Sequence, residues 1–575
     1  MKPHNSAGRS PVPLSLLAAT LALAWSALGP QILSAQQEDS PGERVDELFE
    51  NVDRAGTPGA SVAVYRDGEI LYSRGYGRAQ LEYDIPITPE TVFHVASVSK
   101  QFTAFALVLL AERGELSLDD DIREHLPEVP DFGRTITIRH LIHHTSGLRD
   151  QWTLLAMAGW RLDDVITLAD ILRLVRMQGE LNFEPGAEHV YSNTGYTLLA
   201  EIVARVTGEP FREWMDENVF EPLEMTNTHF HDDHQMIVPN RAYSYTGSGD
   251  GQKKLVLSYA NVGATSLFTT AEDLTKWAEN FYEPSVGSPD AIRQMEERGV
   301  LTNGDTIPYA FGLAIGEHRG LRTVSHSGGD AGFRSYLLMV PEMRFAVAVL
   351  SNGASVNPSM LAGQTAELFL EDELSDELSD ESSRETVTEE EIVQVSEDDL
   401  ERVTGRYWQP EQKYMRTIRR HGTKMFYDRG GSASELGPLG NDRFLMLEVD
   451  AHLIVSFEPA GAKPERMVVV VDGASPVVSR VVEGEPTRDI LAAYVGDYHS
   501  PELDATYQVR LDDDQLVLHH WRHGDFPLET LTDDMFTSSA WWLGSVEFER
   551  DESGAVRGFR ASSDRVRNLA FHRVD

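Results

Sequence analysis

The run Phe93-His94-Val95-Ala96-Ser97-Val98-Ser99-Lys100 leads into Phe102-Thr103-Ala104-Phe105-Ala106-Leu107, an apolar segment that ends near Gly114. Its texture predicts a buried helix that begins close to Ser97. On such a helix the three-residue spacing sets the Lys100 ammonium one turn above the Ser97 hydroxyl. Burial among apolar neighbours makes it easier for Lys100 to give up its proton, and a helix N-terminus favours negative charge developing at Ser97. No other Ser-x-x-Lys occurs in the chain. A serine and a lysine on an ordinary amphipathic surface helix share this spacing, so the pair takes its meaning from what surrounds it.

Upstream, residues 43–53 have the pattern of a short amphipathic helix, and alternating apolar runs at 60–65 and 70–73 flank Asp67-Gly68, a strong hairpin signal. From Ser97 to about Glu297 the pattern is mainly helical. It returns to strands between residues 309 and 352, as in Phe345-Ala346-Val347-Ala348-Val349-Leu350, and closes with an amphipathic run at 358–370. Strands at both ends with helices between them predict an α+β domain over residues 43–370. Its expected form is one antiparallel sheet with the terminal helices on one face and a helical subdomain beside it.

Residues 371–400 carry fourteen acids against one base, Arg384, and 371–399 are expected to be a solvated, self-repelling linker. Beyond it the chain repeats itself. Leu400-x-x-Val403-x-Gly405-x-Tyr407 returns as Leu491-x-x-Tyr494-x-Gly496-x-Tyr498, an offset of 91 residues. Short strands and turns over 400–486 and 487–575 predict an all-β antiparallel region, with each copy holding six to eight strands and closing a small barrel. One larger lipocalin-like barrel spanning both copies is the alternative.

The chain of 575 residues has a formal net charge of −42 and no cysteine. Thiolate chemistry and disulfides are thereby excluded, and so acidic a surface repels nucleic acid. Lys2 and Arg9 precede the apolar stretch 14–28, with Ser34 and Ala35 as a small-residue cleavage point, so residues 1–35 match a signal peptide and imply export to the periplasm or medium. The stretch is shorter than the roughly 20 residues that span a bilayer, which makes a membrane anchor the weaker reading; no later stretch is apolar enough to span.

Glu184-Pro185-Gly186-Ala187-Glu188-His189-Val190-Tyr191-Ser192-Asn193 places a Tyr-x-Asn after a Pro-Gly turn, and Ser325-His326-Ser327-Gly328-Gly329 opens a strand that runs into Arg334-Ser335-Tyr336. With Ser97-x-x-Lys100 these three elements, in this order, resemble the active-site motifs of the penicillin-recognising serine hydrolases: class C β-lactamases, DD-peptidases and related family S12 peptidases and esterases. Leu141-Ile142-His143-His144-Thr145-Ser146-Gly147-Leu148 and Phe268-Thr269-Thr270-Ala271-Glu272-Asp273-Leu274 match as well. The resemblance implies a class C β-lactamase-like fold and a cofactor-free acyl transfer. Ser97 is then the nucleophile, Tyr191 coupled to Lys100 the base and later the acid, and Asn193 a substrate-orienting group. The backbone N–H groups of Ser97 and Gly329 would form an oxyanion hole, with His326, Ser327 and Gly328 beside the substrate. His326 departs from the β-lactamase pattern, which has a lysine there. A mostly neutral imidazole supplies no fixed charge for a substrate carboxylate. That departure favours a peptidase of D-amino-acid or small peptides, or a carboxylesterase, over a β-lactamase. A receptor that only binds penicillins or peptidoglycan fragments is the non-enzymatic alternative. The two C-terminal copies resemble, in texture, the barrels of a D-stereospecific aminopeptidase.

Tyr259-Ala260-Asn261 competes with Tyr191 for the role of base. His229-Phe230-His231-Asp232-Asp233-His234 and His519-His520-Trp521-Arg522-His523 have metal-ligand types but no ligand spacing, so they are expected to be a structural loop and exposed strand-tip residues. His143 and His144 are expected to cap and pack a helix turn. No metal is expected, and the expected partner is a small-molecule or peptide substrate.

Overall fold

The computed structural model describes residues 40–574 except 248–250, 372, 375–391, 411–413, 430–432, 448, 450–452, 472–475, 483–486 and 533. The signal-peptide reading of residues 1–35 and most of the acidic linker lie outside the described residues.

The alternation in the terminal strands organises the first domain. In chain order its main elements are α1 (Pro41–Phe49), β1 (Ala60–Arg66), β2 (Glu69–Tyr76), α2 (Ser99–Glu112), α3 (Asn193–Thr207), α4 (Ala271–Tyr282), β3 (Ala314–His318), β4 (Leu321–Asp330), β5 (Phe333–Val340), β6 (Phe345–Ser351) and α5 (Pro358–Phe369). The strands form one antiparallel sheet in the order β3-β4-β5-β6-β1-β2. Period-two alternation sends Val62, Val64, Phe345, Val347 and Val349 to one face, where they pack with Val45 and Phe49 of α1 and Leu361, Ala362 and Ala366 of α5. The other face carries Ala63, Ala346, Ala348 and Leu350, packed in the helical core. The alanines let α4 approach closely, and its buried Trp277 donates through Nε1 to Gln101 of α2 at 2.7 Å. Each fully buried Val, Leu, Ile or Phe contributes about 1.5–3 kcal/mol, so both faces must stay dry for the sheet to hold.

Two separate closed barrels of eight antiparallel strands follow, spanning Gly405–Gln409 to Val477–Val481 and Gly496–Ser500 to Leu569–Arg573. The single larger barrel is therefore ruled out. The repeat has a physical counterpart: the Tyr407 hydroxyl donates to the Val403 carbonyl at 2.8 Å, and Tyr498 donates to the Tyr494 carbonyl at 2.7 Å. Residues 392–399, assigned to the linker from composition, lean on the first barrel. Val393 N–H donates to the Pro438 carbonyl at 2.8 Å, and Ser396 caps the helix Glu397–Arg402.

The first barrel encloses a core of its own, whereas the core of the second is continuous with that of the first domain. Fully buried Arg149 pairs with Glu502 and donates through Nη2 to the Arg567 carbonyl at 3.0 Å. The Tyr507 hydroxyl donates to the Met157 carbonyl at 2.9 Å. The strand-tip histidines expected to be exposed belong to this junction. His520 is 1% exposed against Gly159, His523 Nε2 donates to the Ala156 carbonyl at 2.8 Å, and Arg522 pairs with Asp164 at 2.8 Å; Trp521 stays out, at 78% exposed, and His519 pairs with Asp525 of its own barrel. Charge-bearing residues at a strand tip read as solvated when nothing in the sequence reports what lies opposite them.

Candidate active site

Ser97 sits in a 3-10 turn, Ala96–Val98, at the head of α2. The turn is pinned from both sides. Val95 N–H donates to the Leu267 carbonyl at 3.0 Å, Leu267 N–H donates to Ser99 Oγ at 3.0 Å, and Ser335 Oγ donates to the Val95 carbonyl at 2.7 Å. Ala96 has φ of 48°, a conformation L-residues adopt at a cost, held here by those bonds. Gly328 is required by closeness: a β-carbon there would stand 2.2 Å from the Val95 carbonyl oxygen, 2.3 Å from Ser335 Oγ and 3.1 Å from the Ser97 nitrogen. Because β3 pairs with β4 only as far as Ser325, the segment from His326 to Asp330 has an edge not taken by a sheet strand, and it lies against the Ser97 turn. Ser327 and Gly329 are exposed on this segment, ready for a ligand backbone.

Lys100 is 0% exposed, and its Nζ lies 3.0 Å from Ser97 Oγ, 2.9 Å from Asn193 Oδ1 and 2.6 Å from the Ala264 carbonyl oxygen. Burial pulls its pKa down to about 7, helped by the Arg565 charge and opposed by Asp330 and Asp150. Neutral, the amine donates to Asn193 and Ala264 and keeps a lone pair for the Ser97 proton. Asn193, the first residue of α3, is held in turn by Asp150, whose Oδ2 accepts from its backbone N–H and its Nδ2, both at 2.8 Å. The sequence reading missed Asp150, although as the cap of the helix Gln151–Met157 it carried a local signal.

The ring of Tyr191 lies 4.8 Å from Lys100 Nζ, and its buried hydroxyl has no partner meeting hydrogen-bond geometry. Burial raises its pKa well above that of a free phenol, opposed first by the nearby Ser97 hydroxyl and then by the Arg565 charge. His144 packs against Tyr191, the rings tilted by 37° with centroids 4.1 Å apart, and accepts the Ser192 N–H at Nδ1, 3.1 Å away. Its neighbour His143 caps the helix Ile138–Ile142. His144 thus positions Tyr191, beyond the packing role expected for it, and burial keeps it neutral. Tyr259 stacks instead on Trp152, ring centroids 4.6 Å apart, and makes no hydrogen bond to Ser97 or Lys100.

His326 is buried. Its Nδ1 donates to the Ser327 carbonyl at 2.6 Å, its Nε2 accepts from the Tyr309 hydroxyl at 3.0 Å, and burial reinforced by Lys100 lowers its pKa to about 3. It is neutral at any working pH. Among the described residues no cluster of His, Cys, Asp or Glu could hold a metal ion, and no helix is long and apolar enough to cross a membrane.

The structure therefore brings Ser97, Lys100, Tyr191, Asn193, His326, Ser327, Gly328 and Gly329 to one cleft. One element of it was not visible in the motifs. The loop 563–567 of the second barrel reaches the cleft, where the Arg565 guanidinium carbon stands 5.0 Å over the Tyr191 ring. Nothing local in the sequence marks that loop.

The D-aminopeptidase of Gluconobacter oxydans is 31% identical over 301 residues, covering 52% of this chain and 56% of the relative. Penicillin-binding protein 4* of Bacillus subtilis is 30% identical over 325 residues, covering 53% of this chain and 70% of the relative. The match thus spans little more than half the length of the aminopeptidase. The octameric penicillin-binding protein homologue from Pyrococcus abyssi shares the fold, with a TM-score of 0.55 at 24% identity over 76% of this chain and 99% of that one. Residues 480–573 match a domain of unknown function, DUF3471, which takes in the second barrel. Residues 45–370, more than half of the chain, match the family described as Beta-lactamase, and the chain belongs to that family.

Proposed function

We propose that the chain is a serine hydrolase that works through an acyl-enzyme on Ser97, acting on small peptides or amides, those of D-amino acids first. The observation that carries the reading is the buried Lys100 amine 3.0 Å from Ser97 Oγ with its pKa brought to about 7. In the first step Ser97 Oγ attacks the substrate carbonyl and its proton passes to Lys100 Nζ. The N–H groups of Ser97 and Gly329 receive the oxyanion. Tyr191 gives its hydroxyl proton to the leaving amine and regains one from Lys100, which restores both groups. Water then attacks the acyl ester by the same steps in reverse. Asn193 and Asp150 hold the amine, and His144 holds the phenol.

The choice of substrate rests on two supports. His326 supplies no charge, which removes the fixed cation that a β-lactamase places beside its substrate's carboxylate. The Gluconobacter relative is named a D-aminopeptidase. Carboxylic esters, more reactive than amides, fit the same site. The leader pattern of residues 1–35 supports a site of action outside the cytoplasm.

The test is covalent labelling of the full chain with a fluorophosphonate, followed by turnover of D- and L-aminoacyl anilides and the matching esters. A label on Ser97, lost in Ser97→Ala, with D-anilides turned over faster than L-anilides, is the expected result. Equal labelling of the alanine variant would overturn the nucleophile, and turnover of esters alone would overturn the peptidase assignment.

A further inference from the structure

Three segments deliver the reacting groups, and each passes through a left-handed residue beside them. Residues 93–97 bring Ser97 and have φ of 48° at Ala96; residues 263–267 bring the Ala264 carbonyl to Lys100 and have φ of 73° at Ser266; the β4–β5 hairpin brings the Gly329 N–H and has φ of 49° at Ala331. A non-glycine residue in that region is strained and persists only where its surroundings over-determine it. One side chain from each segment meets the other two. His94 Nε2 lies 3.1 Å from Asp330 Oδ2 and 3.1 Å from Thr265 Oγ1, and the Thr265 hydroxyl donates to the same Asp330 oxygen.

The triangle has a fixed polarity. A carboxylate only accepts, so His94 presents Nε2 to it as the N–H, and its buried, unpartnered Nδ1 is the bare lone pair of that tautomer. Phe268 and Phe333 close in on the imidazole, ring centroids 5.3 and 5.7 Å away, and Thr265 is buried. Asp330 alone reaches the outside: its side chain is 17% exposed and lines a cavity of about 370 Å³ with Asp150, Trp152 and Tyr259.

The place of Asp330 in the chain gives these bonds a catalytic consequence. It directly follows Gly328 and Gly329, two residues with the widest backbone freedom, on a stretch of β4 that β3 has stopped covering at Ser325. The tip of the hairpin is held along its own length, Gly332 N–H donating to Ser244 Oγ at 3.1 Å and Arg334 Nη1 to the Ala331 and Phe333 carbonyls at 3.1 and 2.7 Å. The Asp330 side chain ties the end that carries Gly329 back to the Ser97 and Ala264 segments. Its charge also reaches Lys100, where it favours the ammonium ahead of Asp150 and against Arg565.

We propose that Asp330 is a positioning residue for the acyl transfer: clasped by His94 and Thr265, its carboxylate sets the Gly329 N–H and the Ala264 carbonyl together in the places from which they serve Ser97 and Lys100. The proposal rests on the acyl-enzyme reading above and deepens it. Because the same carboxylate favours the ammonium of Lys100, removing its charge while keeping its bonds moves the pH dependence of the reaction, which a staple that served stability alone would not do.

The assay is modification of Ser97 in the full chain by an uncharged fluorophosphonate between pH 5 and 9, with the unfolding temperature of each variant recorded. Asp330→Ala, which releases all three segments, should lower the plateau rate by on the order of 10²-fold, the effect of a displacement near 1 Å. Asp330→Asn keeps an oxygen for His94 and Thr265 and should regain most of that loss, while its half-maximal rate moves to lower pH by about half a unit or more, since the opposite charge no longer favours the ammonium. Asp150, Arg565, Tyr191, Tyr196, His144 and His326, the other groups that face Lys100, are the same in every variant, so the shift reads Asp330. Thr265→Val drops one hydroxyl and should lower the plateau with no shift; it carries the test if Asp330→Ala does not fold. A plateau that survives loss of both the hydroxyl and the carboxylate, an Asn variant no faster than the Ala variant, or a half-maximum that stays in place would each overturn the proposal. Failure of the acyl-enzyme reading shows differently, as an unaltered chain whose Ser97 takes no label.

Discussion

If neutral Lys100 accepts the Ser97 proton, acylation must rise with pH, reach half its maximum near 7 and level off above it. The ammonium form has no lone pair, so only the deprotonated fraction reacts. A lysine with its ordinary pKa of 10.5 would be neutral to about 3 parts in 10⁴ at pH 7; lowered to about 7, it is half neutral there, a gain on the order of 10³ in competent enzyme. Below that point each pH unit costs about tenfold, so the rate at pH 5 should be roughly 100-fold below the plateau. The assay is the second-order rate of Ser97 modification by an uncharged fluorophosphonate between pH 5 and 9, read by mass spectrometry. An uncharged probe leaves Arg565 out of the measurement. Lys100→Arg, cationic throughout this range, should lose labelling at every pH. A rate that is flat, or that falls between pH 6 and 8, would refute neutral Lys100 as the acceptor and leave an ammonium-assisted Tyr191 as the alternative.

Tyr191→Phe keeps the packed ring but removes the proton, so turnover should fall about 10²–10⁴-fold with little change in melting temperature, while Tyr259→Phe, stacked on Trp152, should be mild. Reversed effects would move the role to Tyr259. Gly328→Ala puts a methyl 2.2 Å from the Val95 carbonyl and must shift the Ser97 turn; a displacement near 1 Å costs about 10²-fold in turnover, and unchanged kinetics would show that the turn tolerates the shift. Glu502→Ala leaves the buried Arg149 charge with Glu180 alone, 3.9 Å away, and should destabilise the junction by up to about 3–5 kcal/mol, seen as a lower first unfolding transition in calorimetry; an unmoved transition would make the pair dispensable. Protease that cuts within residues 375–391 should leave the second barrel with the catalytic domain through gel filtration, because their cores are continuous; clean release of both barrels would contradict that packing.

What could be read in the sequence was what lies close along the chain. Ser97 and Lys100 are three residues apart, Gly328 and Gly329 adjacent, and the strand alternation of 345–350 local, so pattern alone placed each on its element. The supporting residues fell outside that reach. Asp150 holds Asn193 from 43 residues away, and Ala264 meets Lys100 through a carbonyl that every residue possesses. Arg565 arrives from the loop between the last two strands of the second barrel, where its identity carries no local signature. The histidines at 519–523 were misjudged for the same reason: polarity predicts exposure only when no other surface comes to meet it.

The two barrels show that a repeated fold need not repeat a role. Both keep the tyrosine that bonds a carbonyl four residues back, which fixes the first strand's entry and depends on the repeat alone. They differ where the surroundings differ. Tyr507 and His520 present rings and neutral polar atoms to the catalytic domain, a surface that can lose its water at little cost. Arginine at the matching positions, Arg416 and Arg429, resists dehydration by another protein surface unless carboxylates come with it. The first barrel therefore keeps its core to itself, and the second shares its core with the first domain and delivers Arg565 to the site. Deleting the first barrel should then spare Ser97 labelling, whereas deleting the second should disturb Tyr191 and Asn193 directly, through the lost contacts at Asp150, Asn182 and Glu188, and abolish it; equal labelling after either deletion would refute the difference between the barrels.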